Sequence, residues 1–167
     1  MRVGQDLVEH VPRLRRYARA LTGDRALADD LVQDTLERAL TKFHLWRPGS
    51  DLRAWLFTVM HNVHVNQRRA EGGDRIVVDA DAVEIPVRAT QMDGIELRDL
   101  AAVLGQLPEG QREVLLLVAL EGMAYDEVAR ALSIPIGTVM SRLSRARERL
   151  RELLAGGTPM ATLRMVK

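Results

Sequence analysis

Cysteine is absent from this chain of 167 residues, which excludes disulfides, thiolate metal sites and cysteine nucleophiles but says little about compartment. Long hydrophobic runs are missing too. The longest uncharged apolar run, Val114 to Leu120, is far short of a bilayer span, and the opening MRVGQDLVEH carries charge where a signal peptide has an apolar stretch. A soluble, cytoplasmic protein with no direct membrane insertion is expected. Nor is there a strong charge of either sign: the formal net charge is +1. A protein that grips DNA unaided is usually more basic, so nucleic-acid contact would be confined to local patches or supported by a partner. No Gly-rich phosphate loop, nucleophile-base arrangement or ligand cluster occurs, so neither catalysis nor a cofactor is expected. His61 and His64 have the spacing of a metal pair. With no cysteine and no third ligand in sight, metal binding is not expected.

What the chain does have is apolar spacing of helical period almost throughout, on a composition 47% hydrophobic. An all-α fold is expected. Leu7, Val11, Leu14, Ala18 and Leu21 make a first stripe, stopped by Thr22-Gly23-Asp24, whose Asp can cap a second helix running to about Phe43. After HLWRPGSD, Ser50 or Asp51 can cap a third helix with Leu52, Trp55, Leu56, Val59, Met60 and Val63 on its apolar face. Trp55 belongs to that core stripe, whereas Trp46 in the preceding loop could equally stack on a base. Residues 1–70 thus form a compact three-helix domain. From 71 to 94 the pattern breaks into glycines, a proline and acids, read as a flexible linker with at most a short strand at Arg75 to Val78. Periodicity resumes at Ile95 and continues through Val114 to Leu120 into a second small helical domain, residues 95–155. A helix stop at Gly156-Gly157 leaves 156–167 as a frayed tail.

Within the second domain, YDEVARALSIPIGTVMSRLSRARE (125–148) reads as two short helices around a tight turn. Ala129 falls where the helices approach, Ser133 and Pro135 in the turn, and Val139 where the second helix packs back, as in a helix-turn-helix. Glycine is commoner at the turn position held by Ser133. On a helical wheel Leu143, Ala146 and Leu150 join Val139, while Thr138, Ser141, Arg145 and Arg149 lie opposite. One face packs and the other can enter a groove, where Arg can take guanine bidentately and Ser or Thr can take bases or phosphate. The plain alternative is a solvated arginine-rich helix closing a bundle.

Both halves resemble the extracytoplasmic-function (ECF) sigma factors of the bacterial sigma-70 class. ALADDLVQDTLERAL (26–40) is similar to the family's core-polymerase-binding helix, DLRAWLFTVMHNVHVNQRR (51–69) to its −10-opening helix, and 104–150 to its −35-reading domain. The resemblance implies a stress-response transcription-initiation subunit that binds the beta-prime clamp coiled coil of core RNA polymerase through Asp30, Leu31, Gln33 and Asp34. It implies contact with −10 DNA through Asn62, Asn66, Arg68 and Arg69, Asn66 holding an extruded base against the loop Arg47 to Asp51. It implies −35 reading by Met140, Ser141, Ser144 and Arg145, with Thr138, Arg142 and Arg147 nearer phosphates. Part of Val114 to Leu120 would hold the beta flap, and an anti-sigma factor would be a further partner. Leu40 stands where the family often has Trp, and Met140 where Arg is frequent.

Residue chemistry agrees with those roles without requiring them. Asp29, Asp30, Gln33, Asp34 and Glu37 form an acidic face suited to a basic partner, or simply to water. Thr58, Asn62, Asn66 and Arg69 form a polar stripe that could lie along a single strand, amides being able to donate and accept along a base edge. Arg68 and Arg69 also suit the C-terminal end of any helix. The competing function is a free-standing helix-turn-helix regulator binding duplex DNA as a dimer.

Overall fold

The computed structural model describes the backbone of residues 3–72 and 94–166 and the side chains of 3–71 and 100–155. Among the described residues there are helices and turns and no strand; the expected linker and the strand suggested at Arg75 to Val78 lie mostly or wholly outside them. The first unit contains α1 (Val3–Thr22), α2 (Arg25–Thr41), a 3-10 turn (Phe43–Leu45) and α3 (Leu52–Gly72). The second contains α4 (Gly94–Gly105), α5 (Glu109–Ala119), α6 (Tyr125–Leu132) and α7 (Ile136–Val166).

Capping fixes the starts of α2 and α3. Asp24 accepts the Leu27 N–H at 2.9 Å, and Asp51, rather than Ser50, accepts the Ala54 N–H at 3.3 Å. The α1 stripe is buried at Leu7, Leu14, Ala18 and Leu21, with Tyr17 joining it and Val11 only half-buried. Tyr17 meets Phe57 of α3 edge-on, ring centres 5.0 Å apart, and Leu56, Val59, Met60 and Val63 complete the wall. Trp55 is half-buried against Phe43, which also contacts Trp46 at 5.3 Å. Trp46 is therefore packed on a neighbouring ring instead of standing free in its loop.

Two expectations for the second unit are corrected. The periodicity read as continuous from Ile95 through Leu120 is interrupted at 106–108, because Pro108 cannot continue α4 and instead precedes α5. The expected stop after Ala155 is not met: α7 runs on to Val166. A glycine costs a helix about 1 kcal/mol, which weakens it without ending it.

The two units pack against each other, and their buried apolar residues form one contiguous core. Arg112, buried to 7% exposure, donates to the carbonyls of Leu104 (2.8 Å), Gly105 (3.1 Å) and Leu107 (2.9 Å), and across the contact to Leu21 (2.8 Å). One guanidinium thus satisfies the open C-terminal end of α4 and ties it to the end of α1. Burial pulls its pKa below the ordinary arginine value, with Glu109 and Glu113 opposing that shift.

Along the same contact α3 packs on α6 and reaches α5 through side chains in antiparallel order. Arg53 Nη1 donates to the Glu121 carbonyl at 2.7 Å, His61 Nδ1 lies 2.9 Å from Glu113, His64 Nε2 contacts Glu109, and Arg68 lies 3.0 Å from the other Glu109 oxygen. The histidines that could have been taken for a metal pair are paired with carboxylates, and no metal-binding cluster occurs among the described residues.

Candidate nucleic-acid interface

Two exposed polar strips arise from the way α3 and α7 are packed. Burial of Leu56, Met60 and Val63 turns Asn62, Asn66 and Arg69 outward, with Thr58 half-buried at the end of the strip. Asn62, Asn66 and Arg69 have no hydrogen-bond or ion-pair partner among the described residues, so their polar groups are available to a ligand. Arg68 does not belong to this group. At 100° per residue it lies on the side of His61 and His64, where Glu109 holds it.

Glu109 answers a local electrostatic demand. Burial pushes its carboxyl up, but the His64 hydrogen bond and charge, with the charges of Arg68 and Arg112, more than offset this and lower its pKa below the usual carboxylate value. Tyr17 reports the same acidic surroundings. Burial first, then Glu113, Glu109 and Glu121, raise its phenol well above the ordinary range.

In α7, Val139, Leu143 and Ala146 are buried against α5 and α6, leaving Ser141, Ser144 and Arg145 exposed together. Met140 is 52% exposed at one edge, and Arg147 joins it, Tyr125, Ser144 and Arg151 around a cleft of 280 Å³. Thr138 and Arg142 are half-buried on the other edge. The Arg142 guanidinium lies over Gly110 of α5 so closely that a β-carbon there would sit 2.9 Å from its Nη1. Met140, Ser141, Ser144, Arg145 and Arg147 therefore share one accessible surface, while Thr138 and Arg142 flank it.

The turn before α7 explains the unusual Ser133. It has φ 54° and ψ 46°, and the Ile134 N–H reaches back to the Ala129 carbonyl at 3.0 Å, closing α6 with the left-handed residue such an ending requires. A side chain in that region costs about 1 kcal/mol. Ser133→Gly is expected to stabilise the chain by about 0.5–1 kcal/mol, since glycine relieves the strain but adds freedom to the unfolded chain. Urea denaturation should show a raised midpoint with unchanged slope.

On α2, Asp30, Gln33 and Asp34 are exposed, and Asp34 accepts a hydrogen bond from Gln67 of α3. Leu31 is fully buried, so it supports this acidic face from beneath. Leu40, where a tryptophan was the alternative, is 56% exposed and takes no part in the core.

A helix-turn-helix beside a three-helix unit with an amide-bearing strip has the build of a sigma-70-class protein. A family model for the sigma2 domain of PhyR matches residues 7–61, and one for sigma-70 region 4 matches 97–150. The ECF RNA polymerase sigma factor EcfG of Rhodopseudomonas palustris is 40% identical over 152 residues, covering 89% of this chain and 83% of that protein. The sigma factor RpoE of Bartonella quintana, solved in complex with the anti-sigma factor NepR, has a TM-score of 0.76 at 36% identity, over 91% of this chain and 96% of that one. CnrH, solved with the cytosolic domain of CnrY, has a TM-score of 0.70 at 31% identity, over 92% and 88%. The chain belongs to the ECF RNA polymerase sigma factors, and its function is promoter-specific transcription initiation. The free-standing regulator is not favoured, since the relationship spans both units. Among the described residues no helix is long and apolar enough to cross a membrane.

Proposed function

We propose that the exposed acidic face of α2, at Asp30, Gln33 and Asp34, docks on the beta-prime clamp coiled coil of core polymerase, with part of α5 holding the beta flap. The α3 strip of Asn62, Asn66 and Arg69 then takes the opened −10 strand, and the α7 surface around Ser141, Ser144 and Arg145 reads the −35 duplex. Thr138, Arg142 and Arg147 contact its phosphates. The observation that carries this reading is the pair of exposed polar strips, one on each unit, chemically matched to a single strand and to a major groove. The protein performs no catalysis and needs no cofactor; it works in the cytoplasm, and an anti-sigma factor of the kind seen with RpoE restrains it.

The deciding experiment measures binding of the purified chain to core polymerase and, separately, to duplex promoter DNA near physiological salt. Tight polymerase binding with negligible binding of free duplex is expected. Specific duplex binding with no affinity for polymerase would overturn the assignment. Asn66→Ala tests the melting role more finely: loss of a base contact of about 1 kcal/mol lowers transcription from duplex templates about fivefold, and much less from pre-melted ones. Equal losses on both templates would remove Asn66 from that role.

A further inference from the structure

Two large apolar side chains stand exposed one turn apart on α7, Ile136 at 50% and Met140 at 52%. Single apolar residues scattered over a surface are ordinary. This pair is contiguous, and it borders the exposed Ser141, Ser144 and Arg145. Nor is it surplus core: Ile134, two residues before Ile136, packs on the core, and Leu143, just after Met140, is buried. Gly137 leaves the first turn of the helix bare, since a β-carbon there would meet nothing within 4 Å.

The N-terminal residues of the second helix are the ones a helix-turn-helix sets against base edges, and Ile136 is the first residue of α7. Its side chain can neither donate nor accept a hydrogen bond. In the major groove the base edges present ring nitrogens, carbonyl oxygens and amino groups, and a single apolar group, the C5 methyl of thymine. Against any polar edge an aliphatic side chain removes water and returns no hydrogen bond; against the methyl it buries apolar surface. The pair therefore selects one base and rejects the others. It spans about 6 Å along the helix axis, under two base steps of about 3.4 Å, so the methyl groups of two neighbouring thymines fall within its length. Arg147 and Arg151 line the cleft beside Met140. Cations flanking an apolar ledge suit an occupant that brings phosphates together with methyl groups, as duplex DNA does.

We propose that Ile136 is a specificity-determining residue: with Met140 it forms an apolar ledge that selects thymine in the −35 duplex through the C5 methyl group. This rests on the −35 role of α7 given above and adds to it a residue and the chemical group it reads.

The test uses holoenzyme formed from the full chain and core polymerase. A pool of promoter duplexes randomised over the −35 element is first selected for binding, and the selected duplex is then remade with each −35 thymine replaced in turn by uracil, which deletes the methyl group and nothing else. The parent is expected to lose about fourfold in affinity at one or two positions, the worth of one buried methyl group. Ile136→Ala should abolish the penalty at one of them and Met140→Ala at its neighbour, with helical ellipticity and polymerase binding unchanged. Absence of any uracil penalty in the parent, or penalties that survive both substitutions, would overturn the proposal while leaving the −35 role intact. Weaker polymerase binding by either variant at unchanged uracil penalties would place a protein partner on the ledge and overturn it equally. A holoenzyme that forms but selects no −35 sequence would strike the −35 role itself, and the ledge with it.

Discussion

Replacing Arg112 with alanine will destabilise the protein by about 3–5 kcal/mol. The substitution removes the guanidinium donor from the buried carbonyls of Gly105, Leu107 and Leu21 and from that of Leu104, which keeps the Leu107 N–H, and each buried group left unsatisfied costs about 1–3 kcal/mol where water cannot replace the lost partner. Partial relaxation and water entry keep the total below the simple sum. A chain of this size loses about 2–4 °C of Tm per kcal/mol, so a drop on the order of 10 °C is expected. Arg112→Lys should recover little, because one ammonium on a flexible stem cannot reproduce a planar fork that addresses four carbonyls. Thermal and urea unfolding of the three proteins decide the matter. An Arg112→Ala variant as stable as the parent would mean that other donors replace the guanidinium.

The second large effect is on promoter choice. Arg145 is exposed on α7 beside Ser141 and Ser144 and has no ion-pair partner among the described residues, so none of these competes for its guanidinium. If it takes a guanine bidentately in the −35 duplex, Arg145→Ala costs about 1–3 kcal/mol at one base pair and relaxes the preference there. Arg147→Ala, at the edge of the surface, should instead weaken all promoters alike and reduce the salt slope by about one phosphate contact. Holoenzyme binding over a series of single-base −35 substitutions distinguishes these results. Unchanged preference after Arg145→Ala would assign the base contact elsewhere on α7.

Local features of this fold were readable in the chain because local physics writes them locally. Asp24 before ALADDL announces the start of α2, and the Val139, Leu143 and Ala146 spacing defines the packed face of α7. The contact between the units left no such mark. Glu109, Glu113 and Arg112 look in sequence like the solvated side of an apolar helix, and their partners lie 45, 52 and 91 residues away. Periodicity carries no information about that pairing. The His61 and His64 spacing is a true signal of a shared face, whose partners are the carboxylates of Glu113 and Glu109. The family resemblance sets Arg68 with Asn62, Asn66 and Arg69, whereas the polar stripe read from spacing omits it, one residue around a helix being 100° of rotation. Pro108 breaks the helix although the apolar residues on either side keep a helical spacing. The Gly156-Gly157 pair, two weak helix formers, does not end a helix already nucleated.

Gly110 has a part in this molecule that its place in the first turn of α5 does not suggest. Helix propensity alone would favour almost any other residue there. What the position requires is an empty volume, because the Arg142 guanidinium occupies the space a β-carbon would claim. The far end of an arginine side chain moves easily, so filling that volume redirects the cation before it disturbs the backbone. Mutational tolerance at Gly110 is thus governed by the aim of a charge on another helix, and a survey of folding alone would score as neutral a site that sets where the Arg142 guanidinium points.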